Sequence, residues 1–317
     1  MKVAFWPYLA KAEMLERFGS IAGLELAVVE GIDSLTAALA GAEALVISQT
    51  AYDARVAEVL RAHGRQLRFI QLMNAGYDGP LKHGVPPGVL VAKAGDAWSP
   101  GLAEHALALM LALAKCVPQI LENQAKHGWE RKFTARMDGL DGKTLAIIGY
   151  GSIGHEVAKR AGAFGMHVIG VSRTAKPKPQ ADEVQPVSAL HAVLARADVI
   201  VLAAPLTAET RHMIDARALA LCKPNAVLIN VARGGLIDQA ALGAALANGT
   251  IAAAGIDVTD PEPLPPDHPL WSSPNLIISP HVAGSCGARG RERLADFVAE
   301  NVGRFVAGEA VTHTVSI

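Results

Sequence analysis

The sequence predicts an α/β protein built from two doubly wound parallel sheets, one domain inserted within the other. Three observations carry that expectation. Short apolar runs alternate with helical patterns along most of the chain, as strand–helix–strand units require. A glycine-rich turn, Gly149-Tyr-Gly-Ser-Ile-Gly154, follows a strand-like run and precedes a helix-like one. A chain of 317 residues, 51% apolar and 19% charged, supplies two cores of ordinary size.

The elements follow in order. Residues 2–6, 24–29, 44–48, 69–74 and 89–94 read as buried parallel strands, being short, aliphatic and β-branched. Between them, 34–40 and 53–63 carry helical spacing, with Asp33 or Ser34 and then Asp53 as N-caps. Ser99-Pro100 opens a long apolar helix, with Ser at the cap and Pro at the first helical position. A strand at 144–149, a helix at 153–164 and a strand at 167–171 come next. Further strands are expected at 199–203, 226–230, 252–257 and 276–279. Residues 174–186, rich in Lys, Pro and Gln, read as a solvated loop. An amphipathic helix over 287–307 and a short tail close the chain. The expected domains are 1–98 with 285–317, and 99–284, hinged at crossings near 96–101 and 284–290.

The formal net charge of −1 gives no electrostatic reason to expect nucleic acid or an anionic membrane as a partner. No apolar run reaches the length of a membrane span. The start, Met1-Lys-Val-Ala-Phe-Trp-Pro, reads as a first strand and not as a signal peptide. Cys116, Cys222 and Cys286 are odd in number and widely spaced, so they form no metal-ligand pattern and no disulfide framework. A reducing, cytoplasmic setting fits them.

The glycine turn points to a dinucleotide. Gly149 permits the tight turn, Gly151 lets the backbone approach a pyrophosphate, and Gly154 lets the helix pack close on the strand. Ser152 and Ile153 begin that helix, whose N-terminus offers N–H groups and a positive dipole end to phosphates. The next strand ends Gly170-Val-Ser-Arg-Thr174, where an acid for the ribose hydroxyls is usual. Ser172 stands in its place, followed by Arg173 and Thr174. A hydroxyl and a guanidinium hold a 2′-phosphate that a carboxylate would repel. NADP(H) is therefore the expected cofactor; the alternative is NAD(H), with Arg173 stacked on adenine.

Three later motifs carry a cation, an acid and an imidazole. Arg233 lies in Asn230-Val-Ala-Arg-Gly-Gly-Leu-Ile-Asp238, in a loop at the carboxyl end of a strand. Its planar fork suits a carboxylate and can polarise an adjacent carbonyl; the plainer reading is a helix-capping arginine. His281, in Ser279-Pro-His-Val-Ala-Gly-Ser285, is a natural proton donor near neutral pH, although it is one of eleven histidines. Glu262, in Asp260-Pro-Glu-Pro-Leu-Pro265, can hold that imidazole's tautomer and raise its pKa, or be a solvated loop acid. Asp257 ends a strand and can accept a bond from a nicotinamide carboxamide, or cap a helix.

The chain resembles the D-isomer-specific 2-hydroxyacid dehydrogenases along nearly its whole length. The matching segments are Leu72-Met-Asn-Ala-Gly-Tyr-Asp78, Leu102-Ala-Glu-His-Ala-Leu-Ala-Leu-Met110, Leu140-Asp-Gly-Lys-Thr-Leu-Ala-Ile-Ile-Gly149 and Pro205-Leu-Thr-Ala-Glu-Thr-Arg-His-Met-Ile214. Val231-Ala-Arg-Gly-Gly235, Asp257, Pro261-Glu-Pro-Leu-Pro265 and Pro280-His-Val-Ala-Gly284 complete them. Within the family the glyoxylate/hydroxypyruvate reductases look most similar. The resemblance implies a Rossmann domain inserted into a flavodoxin-like substrate domain. It also implies that Arg233 binds substrate carboxylate and carbonyl, that His281 paired with Glu262 is the acid/base, and that Asp257 holds the carboxamide. On the same resemblance, Asn74 and the amides of Ala75, Gly76 and Tyr77 would receive the substrate carboxylate, and Ala204, Pro205, Thr210, Val231, Ala232, Ala283 and Gly284 would line the nucleotide cleft. A homodimer formed through the helix region after Ser99 is implied as well.

Two positions depart from the family pattern: Ser172, and Trp98 where a polar residue is expected. Trp129 is expected to pack a core, the alternative being a reach into a neighbouring subunit. Glu262 argues against the formate-oxidising branch, and no long C-terminal regulatory extension is expected. The expected reaction is reduction of a small 2-oxo acid to the D-2-hydroxy acid by NAD(P)H. The alternatives are an NAD-linked D-lactate-type or phosphite-type dehydrogenase and, in another class, a dinucleotide-sensing corepressor-like binding protein.

Overall fold

The computed structural model describes residues 1–285 and 287–317; Cys286 lies outside the described residues. The chain divides into two compact units, Met1–Trp98 with Cys286–Ile317, and Ser99–Ser285.

The first unit alternates β1 (Lys2–Phe5), α1 (Lys11–Gly19), β2 (Glu25–Val28), α2 (Ile32–Leu39), β3 (Ala42–Ile47), α3 (Ala54–His63), β4 (Phe69–Leu72), α4 (Asp78–His83) and β5 (Leu90–Ala92). The strands β5-β4-β3-β1-β2 lie side by side and parallel, the doubly wound order of a flavodoxin-like sheet. Val3, Leu45, Ile47, Ile70 and Leu72 are fully buried, because helices cover both faces of a parallel sheet. The α3 helix begins as expected, with the Asp53 carboxylate accepting the Val56 N–H at 2.9 Å. The cap of α2 is Gly31. Asp33 and Ser34 lie inside the helix, and Ser34 turns its hydroxyl back to the Gly31 N–H at 3.3 Å.

The second unit holds α5 (Ser99–Ala114), α6 (Val117–Ala125), β6 (Thr144–Ile148), α7 (Ser152–Gly162), β7 (His167–Val171), β8 (Glu183–Gln185), α8 (Leu190–Leu194), β9 (Val199–Leu202), α9 (Ala216–Ala220), β10 (Val227–Asn230), α10 (Gln239–Ala247), β11 (Ala253–Ile256) and β12 (Leu276–Ile278). The sheet order β8-β7-β6-β9-β10-β11-β12 is the Rossmann arrangement. Side chains alternate across it. Leu145 and Ile147 of β6 join α5 and α7 on one face, through Met110, Val157 and Ala161. Ala146 and Ile148 join α8, α9 and α10 on the other, through Leu194, Leu219 and Leu242. The strand order reverses between β6 and β9, and crevices for ligands open at the carboxyl ends of strands at such a point.

The last helix, α11 (Gly287–Val306), belongs to the first unit, as does β13 (Thr314–Val315), which runs antiparallel to β5. Buried Asn301 of α11 ties this tail down. Its Nδ2 donates to Gln71 Oε1 at 2.6 Å, and its Oδ1 accepts the Thr312 N–H at 2.8 Å.

Two strands were not expected. β8 lies within the stretch read as solvated loop, and β13 within the tail. Both are edge strands of three and two residues with partly exposed side chains, so neither leaves an apolar run to detect. No single helix among the described residues is long and apolar enough to cross a membrane. α5 and α6 reach that length only together, bent by 66°.

Candidate active site

Gly149 leaves β6 at φ 94°, a left-handed region that glycine alone enters freely. A second constraint acts there. A Cβ on Gly149 would lie 2.4 Å from the amide nitrogen of Ala204, just beyond β9. The residue thus serves the close approach of two strand ends as well as the turn. A Cβ on Gly154 would meet Gly149 O and Ile147 Cγ2 at 3.0 Å, so this glycine seats α7 on β6. A Cβ on Gly151 would meet nothing within 4 Å. Gly151 is the N-cap of α7, whose first residues, Ser152 and Ile153, present the helix N-terminus to the same open side.

At the end of β7 the Ser172 N–H is held by Gln185 O at 3.0 Å. Its hydroxyl oxygen is buried and has no hydrogen-bond partner among the described residues. Leaving such a group unpaired costs about 1–3 kcal/mol, so a ligand atom is the natural partner. Arg173 and Thr174 beside it are exposed. The open side of Gly151 and the orphaned Ser172 hydroxyl both fit a dinucleotide laid across the switch point. After β9, Ala204 is buried and Pro205 exposed. The Thr210 hydroxyl donates to Pro205 O at 2.7 Å and accepts the Thr207 N–H at 2.7 Å, which closes that loop on itself.

The loops that follow β10, β11 and β12 hold Arg233, Glu262 and His281. Asn230, buried at the end of β10, accepts the Ala232 N–H at 3.0 Å and donates to Arg233 O at 2.9 Å. This bracket buries Val231 and Ala232 and leaves Arg233 half-buried, its Nη1 donating to Ala232 O at 2.6 Å. A Cβ on Gly234 would lie 2.0 Å from Thr259 C, so this glycine lets the 230–236 loop press against the 257–263 loop. The second loop is pinned further. Arg211 pairs with Asp260 at 3.0 Å, and Gln239 bonds both the N–H and the carbonyl of Asp260.

From that pinned loop Glu262 Oε1 reaches His281 Nδ1 at 2.8 Å, with both side chains about half exposed. The bond to Glu262 lifts the His281 pKa above its ordinary value. Burial and the Arg233 charge oppose the rise, and the Glu262 and Asp257 charges add to it. His281 itself has φ 52°. Its N–H is held by Asp257 O at 2.8 Å and Ser279 O at 3.1 Å.

Asp257 is built into the same turn. Its side chain is 1% exposed. The carboxylate accepts the Ser279 hydroxyl at 2.6 Å, the Val282 N–H at 3.0 Å and the Ala283 N–H at 2.9 Å. Those three bonds make Asp257 an anchor of the turn that carries His281. Ala283 is buried within the same turn and Gly284 follows it, half-buried.

In the first unit, Asn74 Oδ1 accepts the Ser48 hydroxyl at 2.9 Å and the Gln49 N–H at 2.8 Å. This fixes the start of the 74–77 loop. The backbone N–H groups of Ala75, Gly76 and Tyr77 donate to no acceptor among the described residues. Trp98 is 8% exposed and donates through Nε1 to Met73 O at 2.8 Å. It therefore fills the core of its unit where a polar residue was expected. Trp129 does not pack a core: it is 94% exposed. Among the described residues no cluster of three or more His, Cys, Asp or Glu side chains is gathered as for a metal ion.

Residues 107–283 match the family model described as "D-isomer specific 2-hydroxyacid dehydrogenase, NAD binding domain". The chain belongs to that family. A D-3-phosphoglycerate dehydrogenase of Methanocaldococcus jannaschii is 39% identical over 80% of this chain and 48% of its own length. A glyoxylate reductase of Thermococcus gammatolerans is 39% identical over 77% of this chain and 75% of its own. The chain thus spans about half the length of the phosphoglycerate dehydrogenases it matches. A solved structure of a family member from Aeromonas salmonicida superposes with TM-score 0.87 at 31% identity, covering 99% of this chain and 98% of that one.

Sequence reasoning singled out Arg233, Glu262 and His281 and passed over the residues that hold their loops. Asn230 and Ser279 lay in the quoted motifs, but nothing local marks them as brackets. Gly234 is required by a loop some 25 residues away, a contact that only the fold reveals.

Proposed function

We propose that the chain reduces a small 2-oxo acid of the glyoxylate or hydroxypyruvate class to the D-2-hydroxy acid. The observation that supports this is the Glu262–His281 pair at 2.8 Å, beside Arg233, at the carboxyl edge of a Rossmann sheet. A bound reduced nicotinamide supplies the hydride. Glu262 holds His281 through Nδ1, which leaves Nε2 to deliver the proton to the oxygen of the reduced carbonyl. The raised pKa keeps the ring protonated nearer neutral pH. Arg233 grips the substrate carboxylate and draws negative charge onto the carbonyl oxygen. The N–H groups of Ala75, Gly76 and Tyr77 suit a carboxylate. Gly149, Gly151 and Gly154 cradle the dinucleotide, and Ser172, Arg173 and Thr174 take a 2′-phosphate, so NADPH is preferred over NADH.

We also propose a homodimer. Residues 117–139 bury no side chain and display Ile120, Leu121, Trp129 and Met137 at the surface, which suits a second copy of the chain. Light scattering on a sizing column tests this: a monomer at micromolar concentration refutes it.

The activity is tested by a steady-state panel of glyoxylate, hydroxypyruvate, pyruvate, phosphohydroxypyruvate and bulkier 2-oxo acids, each with NADPH and NADH. The phosphorylated acid belongs there because phosphoglycerate dehydrogenases match as well as glyoxylate reductases do. Highest kcat/KM is expected for glyoxylate or hydroxypyruvate with NADPH. Preference for the phosphorylated acid overturns the substrate class, and preference for NADH overturns the cofactor choice. Near-normal turnover by His281→Ala overturns the proton donor, whose loss should cost on the order of a hundredfold.

A further inference from the structure

His105 lies on α5, remote in sequence from the catalytic motifs, yet it enters their framework. Its Nε2 is 2.9 Å from Ser279 Oγ and 3.5 Å from Asp257 Oδ1. Ser279 Oγ is in turn 2.6 Å from Asp257 Oδ1. Proton counting orients this chain. A serine has one O–H, and the short contact to a buried, acceptor-only carboxylate claims it. Ser279 Oγ can then only accept from His105, so Nε2 carries a hydrogen.

The clamp encloses His281. Ser279 precedes it by two residues, and Val282 and Ala283, the other donors to Asp257, follow it directly. One carboxylate therefore grips the turn on both sides of a histidine held at φ 52°, where a residue with a Cβ is strained. The orientation of Ser279 decides whether its hydroxyl meets that carboxylate, and His105 sets that orientation from outside the turn.

We propose that His105 is a positioning residue, which acts through Ser279 and Asp257 to hold the turn that presents the His281 ring to Glu262. It rests on the reading of His281 as proton donor and touches no reacting atom. The charged groups that influence His281 are Glu262, Arg233 and Asp257; His105 meets only Asp257 among them.

The test compares His105→Leu, which removes the donor, with His105→Gln, whose amide nitrogen reaches a similar place. In His105→Leu the loosened His281–Glu262 bond should lower kcat about tenfold with little change in KM. The alkaline limb of the kcat/KM profile should move to lower pH. His105→Gln should restore both. Ser279→Ala should reproduce the His105→Leu effect, and the double variant should be no worse than either single one. A limb unmoved in both single variants, a glutamine variant as impaired as the leucine one, or additive losses would overturn the proposal. NMR titration of the His281 ring in wild type and the same variants reads the positioning without turnover. If wild type reduces none of the 2-oxo acids but the ring titration still moves with His105→Leu, the reading of the reaction fails and the positioning role stands.

Discussion

Replacing Gly234 with alanine probes how the site is held together. The new methyl would lie 2.0 Å from Thr259 C, 2.1 Å from Thr259 O and 2.6 Å from Asp260 N. Ordinary van der Waals contact begins at 3.4 Å, so the two backbones must part by about 1.4 Å. The obstacle is main chain, and no rotamer change relieves it. Overpacking of this kind costs about 1–3 kcal/mol. For a unit of this size each kcal/mol lowers the melting temperature by about 2–4 °C. Activity should suffer more than stability. The displaced loop carries Glu262 and the opposing one carries Arg233, and a misplacement of about 1 Å can cost roughly a hundredfold in rate. Gly151→Ala is the contrast. A Cβ there meets nothing within 4 Å, so stability should hold while the KM for the dinucleotide rises. Thermal melts and steady-state kinetics with glyoxylate and NADPH read both variants. A Gly234→Ala protein with wild-type melting temperature and kcat within threefold of wild type would refute the reasoning.

Four further outcomes are expected. Glu262→Gln keeps an acceptor oxygen but removes the charge that supports the His281 imidazolium, so burial and Arg233 prevail and the alkaline limb of kcat/KM for reduction moves to lower pH; an unmoved limb would contradict the pairing. The same raised pKa makes the pair's contribution to stability complete below His281's ordinary pKa of 6.5 and lost as pH climbs through the raised value, so urea midpoints of wild type and Glu262→Gln should converge in alkali. Ser172→Asp removes a charge-assisted bond worth about 1.5–3 kcal/mol and should lower kcat/KM for NADPH about tenfold or more while sparing NADH; equal losses with both cofactors would count against a 2′-phosphate site. Asn301→Leu strands the buried Gln71 carbonyl and the Thr312 N–H, at about 1–3 kcal/mol each, and a urea midpoint equal to wild type would show that the tail is not anchored there.

What the sequence revealed and what it concealed divide along a physical line. The inner strands were legible because both faces of a parallel sheet are buried, so β3, β6 and β10 hold the continuous apolar stretches 44–47, 145–148 and 227–229. The edge strands β8 and β13 pair on one side and keep polar side chains, so composition gave them no signal. Trp129 misled because a large apolar side chain defaults to a core, whereas nothing in its own chain covers it. Close approach was the least legible property. The glycine motif explains φ at Gly149, but Ala204, which leaves no room for a Cβ there, is 55 residues away and bears no mark of it.

Asp257 shows that residue type and strand position leave the packing of a carboxylate unseen. A carboxylate at the end of β11 faces the crevice by topology, and a ligand contact is the economical guess. The turn that follows changes the electrostatics. Ser279, Val282 and Ala283 supply three donors within 3.0 Å, and the carboxylate sinks to 1% exposure. A buried charge is tolerable only when its lone pairs are satisfied, so the donors and the burial require each other. The strained backbone of His281 lies inside that arrangement, which holds it from both flanks and through its own N–H. The imidazole is thus held by groups behind it, whose signature is burial among internal partners. Among the acidic residues of this site, Glu262, half exposed and directed at a single ring nitrogen, has the opposite signature.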